Sequence, residues 1–307
     1  MGPRLSTRRD VLRAGSALAA AGAAGCIGAG PPIPGSDTGA SYPAWIPRPR
    51  AIDEDTHGWF RYARPSDIAA YAAELEESYT RLRTLLPVED TRLGLDFHDP
   101  DEFIGFGGAY NLVLTGAFDT AEIATRVGAN GFSTHTTHRG YQIYERDPTN
   151  ALGVTDDTIV VGRAGGVLDA TNVVTQILDT GHSGDSRYVD SDESFATLTS
   201  RLGDAHFALG RRFAERTETD LRDGRFAGAV ASGFRYEFGE DTTRGLSVTV
   251  FENAADIDVD DVEAYLEYNE DSGDFSDADD LSAYREGRTA NVEWSVDTEA
   301  AFRTENQ

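Results

Sequence analysis

Two histidines three positions apart, His135 and His138, have the residue type and spacing best suited to metal binding in this chain. On a helix the two imidazoles would share one face. The stretch around them, 133–137, is polar and β-branched, which favours a strand or a loop, and a strand would direct the two rings to opposite faces. No H-E-x-x-H motif is present in the sequence. We therefore expect no cofactor, and we keep open a transition-metal site that both histidines would form with a distant carboxylate.

A serine nucleophile is the second chemistry to consider, in the run Gly-His-Ser-Gly-Asp at 181–185. The run approximates the G-x-S-x-G motif, but Asp185 replaces the last glycine. That motif also needs a strand-turn-helix context, whereas this run follows a predicted helix. No histidine follows His206 in the chain to act as a late base. The composition therefore predicts a turn around Ser183.

Two further stretches are rich in the residues of calcium and phosphate sites. In the acidic stretch 271–280, a loop begun at Asp274 puts Asp279 and Arg285 where an EF-hand needs glycine and glutamate. The glycine-rich stretch 105–108 opens a predicted strand, and the chain has no lysine to complete a G-K-[ST] phosphate loop. We interpret the first as a solvated loop and the second as a bend.

Four aromatic residues, Trp45, Trp59, Phe60 and Tyr62, lie close together early in the sequence. Such a group could form a face that binds a sugar or a protein partner. The alternative is that the rings fasten the N-terminal arm to the body of the protein. We expect this second arrangement.

The charge of the chain limits its partners and its solvent. All 27 basic residues are arginines, against 53 acidic residues, which gives a net charge of −26. Such a charge repels itself at low ionic strength, whereas at about 1 M salt the screening length falls to about 3 Å. This lysine-free, acidic composition resembles that of proteins from extreme halophiles, particularly haloarchaea. We expect a requirement for salt and no binding to nucleic acid, because phosphate binding needs a positive patch.

The first residues carry a targeting pattern. Arg8 and Arg9 follow a polar residue and precede two apolar residues and Arg13. An Ala/Gly-rich stretch then continues to Gly25, and it is too short and too weakly apolar to span a bilayer. The pattern resembles the twin-arginine export signal.

Cys26, the only cysteine, ends this stretch. The sequence Ala-Ala-Gly-Cys at 23–26 resembles a lipoprotein cleavage box, and the alternative is a plain signal with an incidental buried cysteine. Cleavage before Cys26 would leave 23 arginines and 52 acidic residues, a net charge of −29. The chain as a whole resembles haloarchaeal twin-arginine-exported lipoproteins of unknown function. That resemblance implies a stable lipid anchor on Cys26 at the extracellular face of the cytoplasmic membrane.

The distribution of proline divides the chain. Six of the eleven prolines lie at 31–49, which predicts an extended tether. We predict a twin-arginine signal peptide at 1–25, a lipidation site with a flexible tether at 26–50, a first α+β module at 51–190 and a second at 191–307.

Hydrophobic spacing predicts both kinds of secondary structure in the body. Helices are predicted at 66–86, 119–128, 167–178, 192–213 and 258–268, and strands at 104–118, 140–146, 158–163, 245–252 and 288–296. The strand, helix and strand at 245–296 repeat those at 111–145, with 288–296 corresponding to 139–145. The sequence thus predicts an α+β fold of two pseudo-repeated antiparallel sheet-plus-helix modules behind the signal and tether.

These features favour a lipid-anchored cell-surface protein that is non-catalytic and binds a partner or belongs to the envelope. The membrane is the expected partner through lipid on Cys26, and the sequence does not specify a protein or small-molecule partner. One alternative is a substrate-binding lipoprotein of a transporter, which needs two lobes built from parallel βαβ units. A less favoured alternative is a secreted hydrolase or a metal-dependent enzyme around His135 and His138.

Overall fold

The computed structural model of this protein describes residues 40–52, 58–88, 92–108, 110–218, 225–270 and 275–302. These residues fold as an α+β structure in which helices cover a large antiparallel sheet, as the sequence predicts. The predicted signal peptide at 1–25 and the predicted lipidation site Cys26 lie outside the described residues. No helix in the described ranges has the length and apolar character needed to cross a membrane.

The strands are β1 (Trp59–Ala63), β2 (Pro100–Phe106), β3 (Asn111–Gly116), β4 (Ser133–His138), β5 (Tyr141–Asp147), β6 (Asn150–Val154), β7 (Thr158–Arg163), β8 (Phe207–Arg212), β9 (Ala229–Glu237), β10 (Thr242–Phe251), β11 (Asp279–Glu286) and β12 (Thr289–Asp297). The α-helices are α1 (Pro65–Ala69), α2 (Ala72–Leu75), α3 (Glu77–Leu85), α4 (Thr120–Ala129), α5 (Ala170–Ser183), α6 (Tyr188–Ser191), α7 (Glu193–Leu202) and α8 (Val259–Glu270). The strands form one sheet in the order β11-β12-β10-β9-β8-β1-β2-β3-β7-β6-β5-β4.

The two halves of the chain meet in the middle of this sheet, where β1 pairs antiparallel with β8. The backbone N–H of Arg64 donates to the carbonyl oxygen of His206 at 2.9 Å, and that of Arg212 to Gly58 at 2.9 Å. Strands β1–β7 therefore lie on one side of the joint and β8–β12 on the other side. The predicted boundary between residues 190 and 191 falls inside α6, whereas the hydrogen-bonded sheet continues through both predicted modules.

Each half places the same elements around its third strand. Strand β3 is followed by α4 and pairs with β7, and β10 is followed by α8 and pairs with β12. The predicted correspondence of 288–296 with 139–145 is wrong, because β12 occupies the place of β7 while 139–145 lies mostly in β5. The first half has four strands, β4–β7, where the described part of the second half has β11 and β12.

The predicted helix at 66–86 is broken into α1, α2 and α3. Glu76 interrupts it with φ 43° and ψ −113°, outside the helical region. The apolar row that predicts the helix is nevertheless buried, since Ile68, Leu75 and Leu82 are each 0% exposed. A straight helix would hold only part of this row against a twisted sheet, and the breaks let all three side chains reach the core.

Two other predicted elements are also divided. The predicted helix at 192–213 ends at Leu202, where Gly203 adopts φ 59°, and the chain then forms β8. The predicted strand at 104–118 is the hairpin of β2 and β3, turned at Gly107 with φ 76°. The bend expected at 105–108 is therefore present. The sequence pattern does not show that β2 and β3 are separate strands, because apolar residues continue on both sides of the turn.

The sheet carries a separate hydrophobic core on each face. One core contains the inward side chains of α5, α6 and α7 with those of residues 40–52, which we call the N-terminal arm. The other contains those of α1–α4 and α8 with Ala301. Because both faces of the sheet are covered, β2, β3 and β7 place buried apolar side chains on both sides.

The N-terminal arm corrects the predicted tether. Residues 40–50 were assigned to a flexible tether, but Tyr42 is 0% exposed and Ile46 is 2% exposed. Tyr42 stacks on Phe60 and Tyr62 of β1, with ring centroids 5.1 and 4.6 Å away. The buried apolar side chains of the arm dock it on the sheet despite its high proline content. The arm is thus fastened to the body, as the early aromatic residues predict.

Candidate functional site

The predicted histidines lie on β4, at one edge of the sheet next to α5. Strand β4 forms a hairpin with β5 through Arg139 and Gly140, which both adopt positive φ, at 50° and 88°. The polar, β-branched sequence thus forms the strand that it favours. The site consists of this hairpin and the last turns of α5, and we call it the histidine corner.

His135 lies at an irregularity of its strand. The register passes from Thr134 opposite Tyr144 to Thr136 opposite Ile143, so His135 is the extra residue of a β-bulge. Its Nδ1 lies 2.8 Å from Oε2 of Glu145 on β5. This contact links the two strands of the hairpin at the point where their backbone pairing is interrupted.

His138 binds a different carboxylate, which lies on the helix. Its Nε2 is 2.8 Å from Oδ1 of Asp179, and Arg139 also donates to that oxygen. Burial opposes the ionisation of Asp179, but the hydrogen bonds from Arg139 and His138 lower its pKa below the usual value. The carboxylate therefore stays ionised and joins the β4–β5 hairpin to α5.

A third histidine, which sequence reasoning placed only in a turn, completes the corner. His182 lies three residues after Asp179 on α5, and its Nε2 is 3.0 Å from the hydroxyl of Tyr141. Tyr141 is the cross-strand partner of His138. Burial raises the pKa of Tyr141, so the phenol remains neutral. Trp45 of the N-terminal arm packs its edge against the His182 ring at 5.3 Å.

The corner contains parts that catalytic and metal sites use, arranged as a structural clamp. A carboxylate that orients an imidazole is the arrangement found behind a general base or a metal ligand. Here Glu145 contacts His135 and Asp179 contacts His138, so the two histidines do not share a carboxylate. In the described ranges, no group of three or more His, Cys, Asp or Glu side chains has the geometry to hold a metal ion.

The run at 181–185 was predicted to be a turn, but its first three residues are helical. Ser183 is the last residue of α5, Gly184 ends the helix in the left-handed conformation with φ 78°, and the turn begins only at Asp185. A Cβ atom on Gly181 would lie 2.3 Å from the Trp45 ring, so this glycine permits the close approach of the arm. The run therefore positions the arm and has no strand-turn-helix geometry.

A second polar cluster lies where the two halves of the sheet meet. The hydroxyl of Tyr62 is 3.0 Å from Oε1 of Glu102 and 3.1 Å from Oδ1 of Asp204. Ser41 of the arm also donates to Glu102, and Arg64 pairs with Asp204 at 3.3 Å. Burial and the two carboxylates raise the pKa of Tyr62, so it stays a neutral hydrogen-bond donor.

No local sequence signal marks this second cluster. Glu102 is 40 residues and Asp204 is 142 residues from Tyr62 in the chain. Their proximity follows from the pairing of β1 with β2 and from the loop that enters β8. Only the strand order of the sheet would have revealed them.

A shallow cavity of about 190 Å³ lies between residues 93–99 and the start of α4. Asp99, Asp119 and Glu122 are among its lining residues. Asp119 accepts hydrogen bonds from the backbone N–H groups of Ala121 and Glu122, and the Glu122 carboxylate pairs with Arg126 at 2.6 Å. These contacts cap and stabilise α4, which accounts for two of the three carboxylates.

Comparison with known proteins gives structural matches at low identity. No protein-family model matches the sequence, and no curated protein matches it. Crystal form III of TP0453 matches with 12% identity and a TM-score of 0.46, covering 84% of this chain and 94% of that chain. Crystal form I of TP0453 matches with 10% identity and a TM-score of 0.47, covering 86% of this chain and 95% of that chain.

Proposed function

We propose that this chain is a lipid-anchored protein of the cell surface, exported through Arg8 and Arg9 and anchored through Cys26. Its body acts without catalysis, as a binding or envelope component. The observation that carries this proposal is the order of the sequence at 6–26: a twin-arginine pair, a weakly apolar stretch and a single cysteine. The bilayer is its first partner, through the lipid.

The position of the N-terminal arm is consistent with such an anchor. The described chain begins at Ala40, beside the core under α5–α7. Thirteen residues, 27–39, lie between Cys26 and Ala40, and at 3.3–3.6 Å per residue the fourteen steps from Cys26 to Ala40 reach about 50 Å at most. An anchor on Cys26 would thus hold the body near the bilayer through one firmly docked point.

The contacts of the histidine corner support a non-catalytic role. His135 binds Glu145 within the hairpin, and His138 binds Asp179 across to α5. Both histidines therefore contribute to holding secondary-structure elements together. Contacts of the kind that orient a catalytic base here attach the edge strand β4 to β5 and to α5.

The central joint disfavours the alternative of a two-lobed substrate-binding protein. Pairing of β1 with β8 joins the halves through a continuous antiparallel sheet. A hinged closure of two lobes would have to break this ladder, whereas hinges normally lie in a few loop or element-terminal residues. The parallel βαβ units of such proteins also differ from the antiparallel pairing seen here.

The anchor is tested by mass spectrometry of the membrane fraction and by two matched variants. The native protein should start at Cys26 and carry lipid mass, and Cys26→Ala should release it into the medium. Ser36→Ala, a change of similar size nearby, should remain attached. Recovery of unprocessed chain in the cytosol, or wild-type protein in the medium, would contradict the proposal.

A further inference from the structure

The sheet has two free edges in the described residues, and they differ in charge. Strand β11 forms one edge and β4 forms the other. An exposed edge presents unpaired backbone N–H and C=O groups that another strand can bind, and proteins commonly protect such edges with charge, bulges or coverage. The two edges are protected to different extents.

The β11 edge is protected by charge. Asp279, Asp280, Arg285 and Glu286 are exposed along this strand. Its pairing with β12 is irregular between Asp279 and Ser282. In a chain with a net charge of −26, a second molecule approaching this edge would meet carboxylates of its own sign.

Strand β4 itself has no carboxylate, and the adjacent Glu145 and Asp179 each contact one of its histidines. Its sequence is Ser-Thr-His-Thr-Thr-His, and residues 133–137 are exposed, which places side chains from both faces of the strand in solvent. Threonine favours strands. Among the described strands it pairs with β5 alone, and α5 packs mainly over β5, β6 and β7. This edge is therefore open along its outer side, and His138 at its end contacts Asp179 of α5.

We propose that β4 pairs antiparallel with β4 of a second copy of this chain, about a two-fold axis, so that the two sheets become continuous. Antiparallel pairing of a strand with itself is isologous, because the same residues serve both copies. Its threonines then face hydroxyl- or imidazole-bearing partners, and cross-strand threonine pairs stabilise a sheet.

The distribution of charge over the two described edges directs a second copy to β4. Two chains that each carry −26 repel each other overall, and the repulsion is smaller at β4, because this strand has no carboxylate of its own and the adjacent Glu145 and Asp179 each contact one of its histidines. Salt screens the remaining repulsion between the two bodies. A second copy therefore fits this edge best when the ionic strength is high.

The histidine corner prepares the strand for this contact. The contacts of His135 with Glu145 and of His138 with Asp179 hold β4 at both its middle and its end. A strand that is already ordered loses less entropy on binding. The bulge at His135 leaves Thr136–Thr137 and His138 in regular register with β5, and this regular part is the pairing segment.

The contact should be weak. One short strand edge buries less than the roughly 1,200–2,000 Å² of a stable specific interface. We therefore expect a dimer that dissociates on dilution, with association strengthened at about 1 M salt compared with about 0.1 M salt, where the Debye length is about 10 Å.

Sedimentation velocity of the folded protein over a concentration series tests the proposal with charge variants at one position. Thr137 is the middle residue of the pairing segment, so in a two-fold pairing the two copies of this residue lie opposite each other. Thr137→Asp alone and Thr137→Arg alone should each sediment as a monomer, and an equimolar mixture should recover the dimer. Ser282→Asp and Ser282→Arg, on the β11 edge, should leave wild-type association unchanged.

Several outcomes would overturn this inference. They are a wild-type monomer at every concentration and salt level, a dimer that both Thr137 variants retain, or a monomer that carries a different protein bound at β4. Hydrogen exchange of the wild-type chain decides the matter if the variants do not fold. Exchange of the β4 amides should slow as protein concentration rises, and unchanged exchange would also overturn the proposal.

Discussion

The N-terminal arm and the C-terminal residues 297–302 cover opposite faces of the same sheet by different means. The arm inserts Tyr42, which is fully enclosed and stacked on two rings of β1. The C-terminal residues rely on backbone contacts, including the Ser78 hydroxyl bonded to the carbonyl oxygen of Ala301, and on the half-buried ring of Phe302. The enclosed ring of Tyr42 excludes water from the part of the sheet that it covers. The half-buried ring of Phe302 shields the sheet beneath it only in part.

The difference indicates that the two chain ends contribute unequally to the stability of their faces. Tyr42 and Trp45 reach β1 and α5, so the arm joins the helix layer to the central strand. The half-buried ring of Phe302 packs on Tyr236 and Phe207 of the opposite core, with ring centroids 4.5 and 5.2 Å apart. Removal of the arm's ring should therefore cost more than removal of the C-terminal ring.

The largest expected effect comes from Tyr42→Ala. This change leaves a cavity between Phe60 and Tyr62 and should lower the free energy of unfolding by about 3–5 kcal/mol. Denaturant unfolding at high salt, followed by circular dichroism, measures it. Tyr42→Phe is the control, and it should cost less than about 1.5 kcal/mol, because it removes only a hydroxyl 3.4 Å from the carbonyl oxygen of Thr199. Equal effects of the two changes would show that ring packing does not hold the arm.

A smaller effect is expected from Phe302→Ala on the opposite face. The ring is only half-buried, so its loss should lower the free energy of unfolding by about 1–2 kcal/mol, below the range for enclosed aromatic rings. The same unfolding experiment applies, with Phe302→Leu expected to keep most of the stability. If Phe302→Ala matched or exceeded Tyr42→Ala, the contrast between the two ends would be wrong.

The smallest expected effect is a pH dependence of the free energy of unfolding. It arises from His206, on the face of the sheet that the C-terminal residues cover. Burial and the Arg64 charge lower the pKa of His206, although Asp67, Glu237 and Asp204 act in the opposite direction. Its Nδ1 accepts a hydrogen bond from the backbone N–H of Phe238 at 2.8 Å. The folded state therefore holds the neutral ring.

The sign of the pH dependence follows from this lowered pKa. The unfolded chain takes up a proton near pH 6.5, and the folded chain does so only at lower pH, so this contribution to stability is lost as pH falls below about 6.5. Unfolding measured from about pH 8 to about pH 5 should show a shallower loss for His206→Gln than for the wild type. An unchanged slope would assign the acid sensitivity to other groups.

The sequence predicts single elements better than their contacts. Periodicity locates β7 and α8, and the early aromatic residues predict a fastened arm. Periodicity also predicts α7 and β8 as one helix, because the apolar residues at 207–213 continue the helical spacing of α7. That spacing does not reveal the turn at Gly203 that separates the two elements. The break in the predicted helix at Glu76 depends on the twist of the sheet against which the helix packs. A short stretch of sequence holds no information about that twist.

The candidate site was predictable in the same partial way. The residues His135 and His138 and their strand follow from the local sequence. Their partners do not, because Asp179 is 41 residues from His138 and belongs to a different element. Whether a histidine binds a metal, a substrate or a neighbouring carboxylate depends on the element packed against its strand, which is a property of topology.

The docking of the N-terminal arm across the middle of the sheet has a mechanical consequence. A pull on the chain ahead of Ala40 would load the stacked ring of Tyr42 and the bridge between Pro47 and Arg187 before it reached any strand of the sheet. The arm would peel away first, and the hydrogen-bonded ladder of β1 and β8 would bear force only afterwards. The order of rupture is thus set at the point where the chain enters the fold.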